Sequence, residues 1–217
     1  MKVFALKILT LLFILSSSVS SHCQKVFNDN EGNLFMLQPA GKHPTLLYLC
    51  CTGGKMENID TARLVYDSLG WNIAVCGKSR NHRDPKKNTT DILNLVDELL
   101  TFPQVDSYRI VIYGFSGQGA QALSVALSFP LLFGGVITQC AHDALIRDID
   151  RENVPGLPVV LLTREKDWNR GRNEKIKALL DRLGANARLI VTPGVHRIGD
   201  AKELLFLCRE ITKLWQD

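Results

Sequence analysis

The chain has 217 residues, of which 46% are hydrophobic and 22% charged, and its formal net charge is +4. That length suits one domain burying roughly 70% of its unfolded surface, and the composition excludes disordered, repetitive and low-complexity architectures. Two of the four charges come from Lys2 and Lys7 at the extreme N-terminus, so no nucleic-acid partner is expected.

Lys2 and Lys7 precede an apolar run, Ile8 to Leu15, and then Ser16-Ser17-Ser18-Val19-Ser20-Ser21. Basic, apolar and small-residue segments in that order make a secretory signal peptide. Cleavage is expected after Ser20, Ser21 or Cys23. The apolar run is too short for a membrane-spanning helix. The expected product is one secreted or periplasmic domain from about residue 24 to 217, with no stable membrane insertion once the signal is removed.

In chain order, Lys25 to Leu37 reads as an antiparallel pair turning at Asn28-Asp29-Asn30-Glu31-Gly32. Pro44 to Cys51 is a continuous apolar strand followed by Thr52-Gly53-Gly54. Helical spacing covers Asp60 to Leu69 and stops at Gly70. Trp71 to Cys76 is a strand, Gly77 to Lys87 a polar loop, and Ile92 to Leu100 a helix capped by Thr90 or Asp91. Arg109 to Tyr113 is a β-branched and aromatic strand, and Gln118 to Leu127 a helix ending before Pro130. Strands at Phe133–Cys140, Leu157–Thr163 and Ala187–Thr192 follow, with helices at Asn173–Leu183 and Ala201–Trp215. This alternation predicts an α/β fold, a mainly parallel sheet with helices on both faces. Only Ala141 to Gly156 separates two of the later strands, which leaves no room for a lid domain.

Export permits disulfides, yet Cys50, Cys51, Cys76 and Cys140 fall at or near strand ends and Cys208 in a helical run. They read as buried thiols, with a Cys50–Cys76 bridge as the alternative. No His/Cys group has zinc spacing, so neither a metal nor a cofactor is expected. Asn88-Thr89-Thr90 is an N-glycosylation sequon.

The chemistry centres on Gly114-Phe115-Ser116-Gly117-Gln118-Gly119, a turn barely long enough to pass from strand to helix. A serine there is held in a strained conformation with its hydroxyl out at the carboxyl end of the sheet. The N–H of Gly117 lies beside it at a helix N-terminus. Glycine-rich turns of this kind also occur in phosphate sites, so the neighbouring strands must decide. After Leu157–Thr163 comes Arg164-Glu165-Lys166-Asp167-Trp168, and after Ala187–Thr192 comes Pro193-Gly194-Val195-His196-Arg197. A serine, an acid and a histidine thus follow three sheet edges, where sites form in such folds. In these roles His196 takes the proton of Ser116, and Asp167 fixes the ring and stabilises the imidazolium. Glu165 is a rival acid. Gly117 N–H, with Cys51 or Thr52 N–H, would form the oxyanion hole. Arg80, His82 and Trp168 are candidates for the rim of the substrate site.

The chain resembles the small α/β-hydrolase carboxylesterases, close to dienelactone-hydrolase-like and secreted polyhydroxybutyrate-depolymerase-like esterases, from about Pro44 to the C-terminus. Leu49-Cys50-Cys51-Thr52-Gly53-Gly54 is similar to the family's Leu-His-Gly-Thr-Gly-Gly oxyanion turn. Lys78-Ser79-Arg80-Asn81-His82, Val105-Asp106-Ser107-Tyr108-Arg109 and Glu165-Lys166-Asp167 match the loop after the fourth strand, the lead into the elbow, and the acid turn. The departures are Cys50-Cys51 for His-Gly, Gln118 for an elbow glycine, and Arg164 for the glycine before the acid. Dienelactone hydrolases proper use a cysteine nucleophile, so Ser116 points away from that activity. The resemblance implies an esterase acting on small-molecule or polymer esters through an acyl-enzyme. A peptidase or thioesterase on the same three residues, and an inactive hydrolase fold that only binds, are the alternatives.

Overall fold

The computed structural model describes residues 26–216, so the expected signal peptide lies outside the described residues. Eight strands form one sheet in the order β1-β2-β4-β3-β5-β6-β7-β8. They are β1 (Val26–Asn28), β2 (Leu34–Met36), β3 (His43–Leu49), β4 (Asn72–Val75), β5 (Val105–Phe115), β6 (Gly135–Gln139), β7 (Pro158–Lys166) and β8 (Asn186–Val195). The pairs β1–β2 and β2–β4 are antiparallel, and the rest of the sheet is parallel. From β3 onward strand and helix alternate except between β6 and β7, whose connection at 140–157 contains no helix, and each parallel neighbour is reached by a crossover connection.

Five helices cover the two faces: α1 (Met56–Leu69), α2 (Pro85–Leu99), α3 (Ser116–Ser128), α4 (Arg170–Arg182) and α5 (Ala201–Leu214). Leu47 and Leu49 of β3 point to the layer of α2, α3 and α4, in the same core cluster as Ile92, Leu123 and Ile176. Leu46 and Tyr48 point the other way, to the layer of α1 and α5, with Ile59, Val65 and Leu207. The period of two in a strand therefore explains why β3 reads as a continuous apolar run: both of its faces are core.

Four helices begin earlier than their sequence spacing implies, α3 at Ser116 and α4 at Arg170 by two and three residues, and α1 and α2 by more. α1 starts at Met56, not Asp60, because the Asn58 side chain accepts the Lys55 N–H at 2.9 Å and satisfies an orphan donor there. α2 starts at Pro85, within the segment read as loop. Asp84 caps it by accepting the Lys86 N–H at 2.9 Å, and proline fits the first helical position, where no N–H is needed. This places Asn88 inside the fold, 2% exposed, donating to Arg80 O and accepting from Arg83. Its amide has no freedom to carry a glycan. The five described cysteines are free thiols, with Cys76, Cys140 and Cys208 buried, so the Cys50–Cys76 bridge is not formed.

β8 carries one extra residue relative to β7, since Arg164 pairs with Thr192 but Lys166 pairs with Val195. Pro193 and Gly194 occupy this bulge, and Gly194 has φ +119°, which a side chain resists. The kink turns the chain over the sheet edge at His196. No helix among the described residues is long and apolar enough to cross a membrane.

Candidate active site

No residue separates β5 from α3: Phe115 ends the strand and Ser116 begins the helix. Such an abrupt reversal brings the helix backbone onto the strand. A β-carbon on Gly114 would run into the Gln118 carbonyl, and one on Gly119 would sit 3.0 Å from both Ala141 Cβ and Gly114 O. The glycines face each other, so the second small residue is needed at 119 rather than at 118. Gln118 is free to carry a side chain, and it accepts the Ser79 hydroxyl at 2.7 Å while 1% exposed. Ser116 has φ +54°, a conformation that strains a residue with a β-carbon.

His196, just past the bulge, directs its Nε2 to Ser116 Oγ at 3.0 Å and its Nδ1 to Asp167 Oδ1 at 2.7 Å. Asp167 is buried at the end of β7. Its Oδ1 also accepts Asn169 N–H at 2.9 Å, and Oδ2 accepts the Thr163 hydroxyl at 2.8 Å. Burial opposes its charge, but bonds from Asn169, His196, Thr163 and the Cys140 thiol outweigh that and hold the carboxyl below its usual range. The Asp167 carboxylate is therefore ionised and accepts the Nδ1–H, which leaves Nε2 as the free acceptor facing the serine. Glu165, the rival acid, is exposed, and the His196 ring bonds to Asp167 instead.

The imidazole contacts two aromatic rings. Trp168 stacks on it at 3.8 Å between centroids and 22° between planes, and Phe115 is at 4.9 Å on a tilted face. Trp168 is otherwise 74% exposed. It screens the ring rather than lining the hollow beside the serine.

That hollow, of about 290 Å³, is lined by Ser116, Gly117, Arg80, His82, Arg83 and His142 among others. A second one of about 450 Å³ shares Pro85, Gln121 and Leu145 with it and runs between α2 and α3 towards Phe129. The loop after β4 is tied to the elbow and to the turn after β3. Ser79 bonds to Gln118, Asn81 N–H donates to Cys51 O at 2.9 Å, and Gln118 Nε2 reaches Asn81 Oδ1 at 3.5 Å. In the turn after β3, the Cys51 thiol donates to Phe115 O at 3.3 Å. Burial raises its pKa, so it remains a neutral thiol and no rival to the serine. Thr52 lies in the same turn, its hydroxyl 3.5 Å from Cys50 Sγ.

Several supporting residues carry no local sequence signal. Gln139, at the end of β6, accepts Gly199 N–H at 2.9 Å and donates to Glu203 at 2.9 Å. Arg164, 2% exposed, makes two bonds to Glu203 at 2.5 and 2.7 Å and one to Thr192 at 2.7 Å. Together these residues pin the segment that follows His196. Cys140, with φ +52°, packs its thiol against Asp167, and burial together with that carboxylate pushes its pKa up to about 12. Among the described residues, Cys140, Asp167 and His196 form a trio whose ligand atoms lie within 4.8 Å of one another. Their donors are already committed to each other and to Ser116, so a metal ion would have to break the His196–Asp167 bond to enter.

No protein-family model and no curated protein matches this chain. Solved structures do. A carboxylesterase of Bacillus cereus superposes with a TM-score of 0.70 at 17% identity, over 86% of this chain and 96% of the other. The fold is that of the α/β-hydrolases. Esterase PE8 gives 0.65 at 17% identity, over 86% and 99% of the two chains. The S-formylglutathione hydrolase of Staphylococcus aureus gives 0.62 at 14%, over 88% and 96%. Among the described residues no lid is inserted, since β6 and β7 are joined by the short stretch at 140–157.

Proposed function

We propose that this α/β-hydrolase chain is an exported serine hydrolase that cleaves carboxylic esters. The observation that carries the proposal is the unbroken path Ser116 Oγ–His196 Nε2, His196 Nδ1–Asp167 Oδ1, at 3.0 and 2.7 Å, on the carboxyl edge of the sheet. Similarity in fold to carboxylesterases supports it. Ser116 Oγ attacks the ester carbonyl while its proton passes to His196 Nε2. The oxyanion that forms takes hydrogen bonds from Gly117 N–H and from Thr52 or Cys51 N–H, each donor contributing roughly 10² to 10³ in rate. Collapse breaks the ester C–O bond, and His196 returns the proton to the leaving alcohol. Water then enters, loses a proton to His196, and releases the acid from the serine. Arg80 and His82 contact the substrate at the mouth, and Trp168 keeps bulk water off the imidazole.

A second reading, a binding protein that has lost turnover, rests on Cys51. Its side chain occupies the elbow side of the turn, where the related esterases' motif has a glycine. A fluorophosphonate probe separates the two, because it reacts only with an activated serine. Wild type should label, and Ser116→Ala and His196→Ala should not, with ester turnover in Ser116→Ala reduced by about 10⁴-fold or more. Labelling that survives Ser116→Ala would move the nucleophile elsewhere, and folded wild type that takes no label would favour the binding protein. Comparing esters with amides and thioesters then fixes the leaving group. Detection of the mature N-terminus near residue 24 in a secreted or periplasmic fraction tests export.

A further inference from the structure

The hollow beside Ser116 is unusually one-sided in charge. Among the described residues, Arg80, His82, Arg83 and His142 line it, and no aspartate or glutamate does. These four are not equivalent. Arg83 is neutralised by an ion pair to Asp91 and a bond to Asn88. His142 has its pKa lowered, by burial first and then by Arg172, and is neutral at physiological pH. His82 is exposed and held at φ +59°. The Arg80 guanidinium makes no hydrogen bond or ion pair among the described residues.

Its backbone, by contrast, is fixed. The buried Asn88 donates to Arg80 O at 2.9 Å and accepts Arg80 N–H at 3.3 Å. The residues on either side are tied to Gln118 and to Cys51 O. The main chain clamped at this density fixes the root of an exposed, unpartnered guanidinium at the cavity of the serine, so only the side chain has to be ordered when it grips an anion. The start of α3 adds positive potential at the same place.

We propose that Arg80 selects substrates bearing a second, anionic group, a carboxylate or a phosphate monoester, at a distance from the ester bond. The inference rests on the hydrolase reading above. A cavity of about 290 Å³ lies at the small end of ligand pockets, so the anion sits on a short chain rather than on a long acyl tail. Arg80 acts by binding this group. It takes no part in proton transfer, and the bonds broken and formed are those of ester hydrolysis.

The test compares charged substrates with uncharged counterparts. On the acyl side, mono-p-nitrophenyl glutarate is set against p-nitrophenyl pentanoate. On the alcohol side, 2-acetoxyethyl phosphate is set against 2-methoxyethyl acetate. Wild type should favour the anion in at least one pair by about ten- to a hundredfold in kcat/KM, carried mainly by KM. The pair that shows it names the source of the charge. In Arg80→Ala that ratio should fall towards one, and Arg80→Lys should keep part of it. Wild type that hydrolyses the uncharged esters with no preference in either pair overturns the proposal and leaves the hydrolase reading intact. If wild type hydrolyses none of the four, calorimetry with glutarate decides. Binding that is lost in Arg80→Ala sustains the anion site on a protein that is not an esterase, and absence of binding overturns it.

Discussion

Ser116 and His196 stand 3.0 Å apart at one sheet edge, but they are held there by different means. Ser116 is placed by backbone. It sits in the middle of the sheet on β5, at a strand-to-helix junction with no intervening residue, and the close approach of Gly114 and Gly119 fixes the angle. His196 is placed by side chains. It follows β8, the last strand of the sheet, whose flank is open, and its position depends on Asp167, two aromatic rings and the Gln139–Glu203–Arg164 network. A site can thus draw one partner from rigid packing and the other from a web of polar contacts, and the two should fail differently.

Gly114→Ala should break the first arrangement outright. Its methyl would meet the Gln118 carbonyl, a backbone atom that cannot rotate away, and overpacking of this kind destabilises by about 3 kcal/mol or more. Denaturant unfolding should show the loss, and labelling of Ser116 should vanish with it. Glu203→Ala attacks the second arrangement. It leaves the buried Arg164 charge with only Thr192 as a partner, and removing one member of a buried pair destabilises by about 3 kcal/mol. The double variant Arg164→Met/Glu203→Leu sharpens the contrast. Stability should return towards wild type, because no charge is left unpaired, while ester turnover stays several-fold low because Gln139 and the 196–200 segment lose their anchor. If turnover recovers together with stability, the network is structural only. Trp168→Ala should have the smallest effect, about 1 kcal/mol of lost ring stacking, seen as a fall of about 2–4 °C in the unfolding midpoint and a few-fold fall in kcat.

The same division explains what could be read from the chain beforehand. Backbone demands write themselves into local sequence. The glycines around Ser116, the continuous apolar strands and the placement of Asp167 and His196 just after strands all lie within a few residues of the feature they specify. The expected order of elements stands, with errors where local rules mislead: Pro85 reads as a loop residue but opens α2, and four residues before Asp60 already belong to α1. Side-chain webs leave no such trace. Gln139, Arg164 and Glu203 are far apart in the chain, and Arg164 reads only as a substitution for a glycine until Glu203 is seen to receive it. Trp168 reads as a rim residue, and only the fold shows its ring flat against His196. Gln118 reads as a broken motif, whereas the structure moves the small residue to 119 and uses the side chain at 118 to hold the neighbouring loop.

The bulge at Pro193–Gly194 has a second consequence. β8 is the outermost parallel strand, with Val191 and Val195 exposed, and a straight apolar edge of that kind invites another chain to pair with it. Proline offers no N–H to an incoming strand, and the extra residue throws the ladder out of step at the same point. The kink that aims the imidazole also blunts the sheet's free border, so a straightened β8 would tend towards fibrous self-association as well as a misdirected histidine.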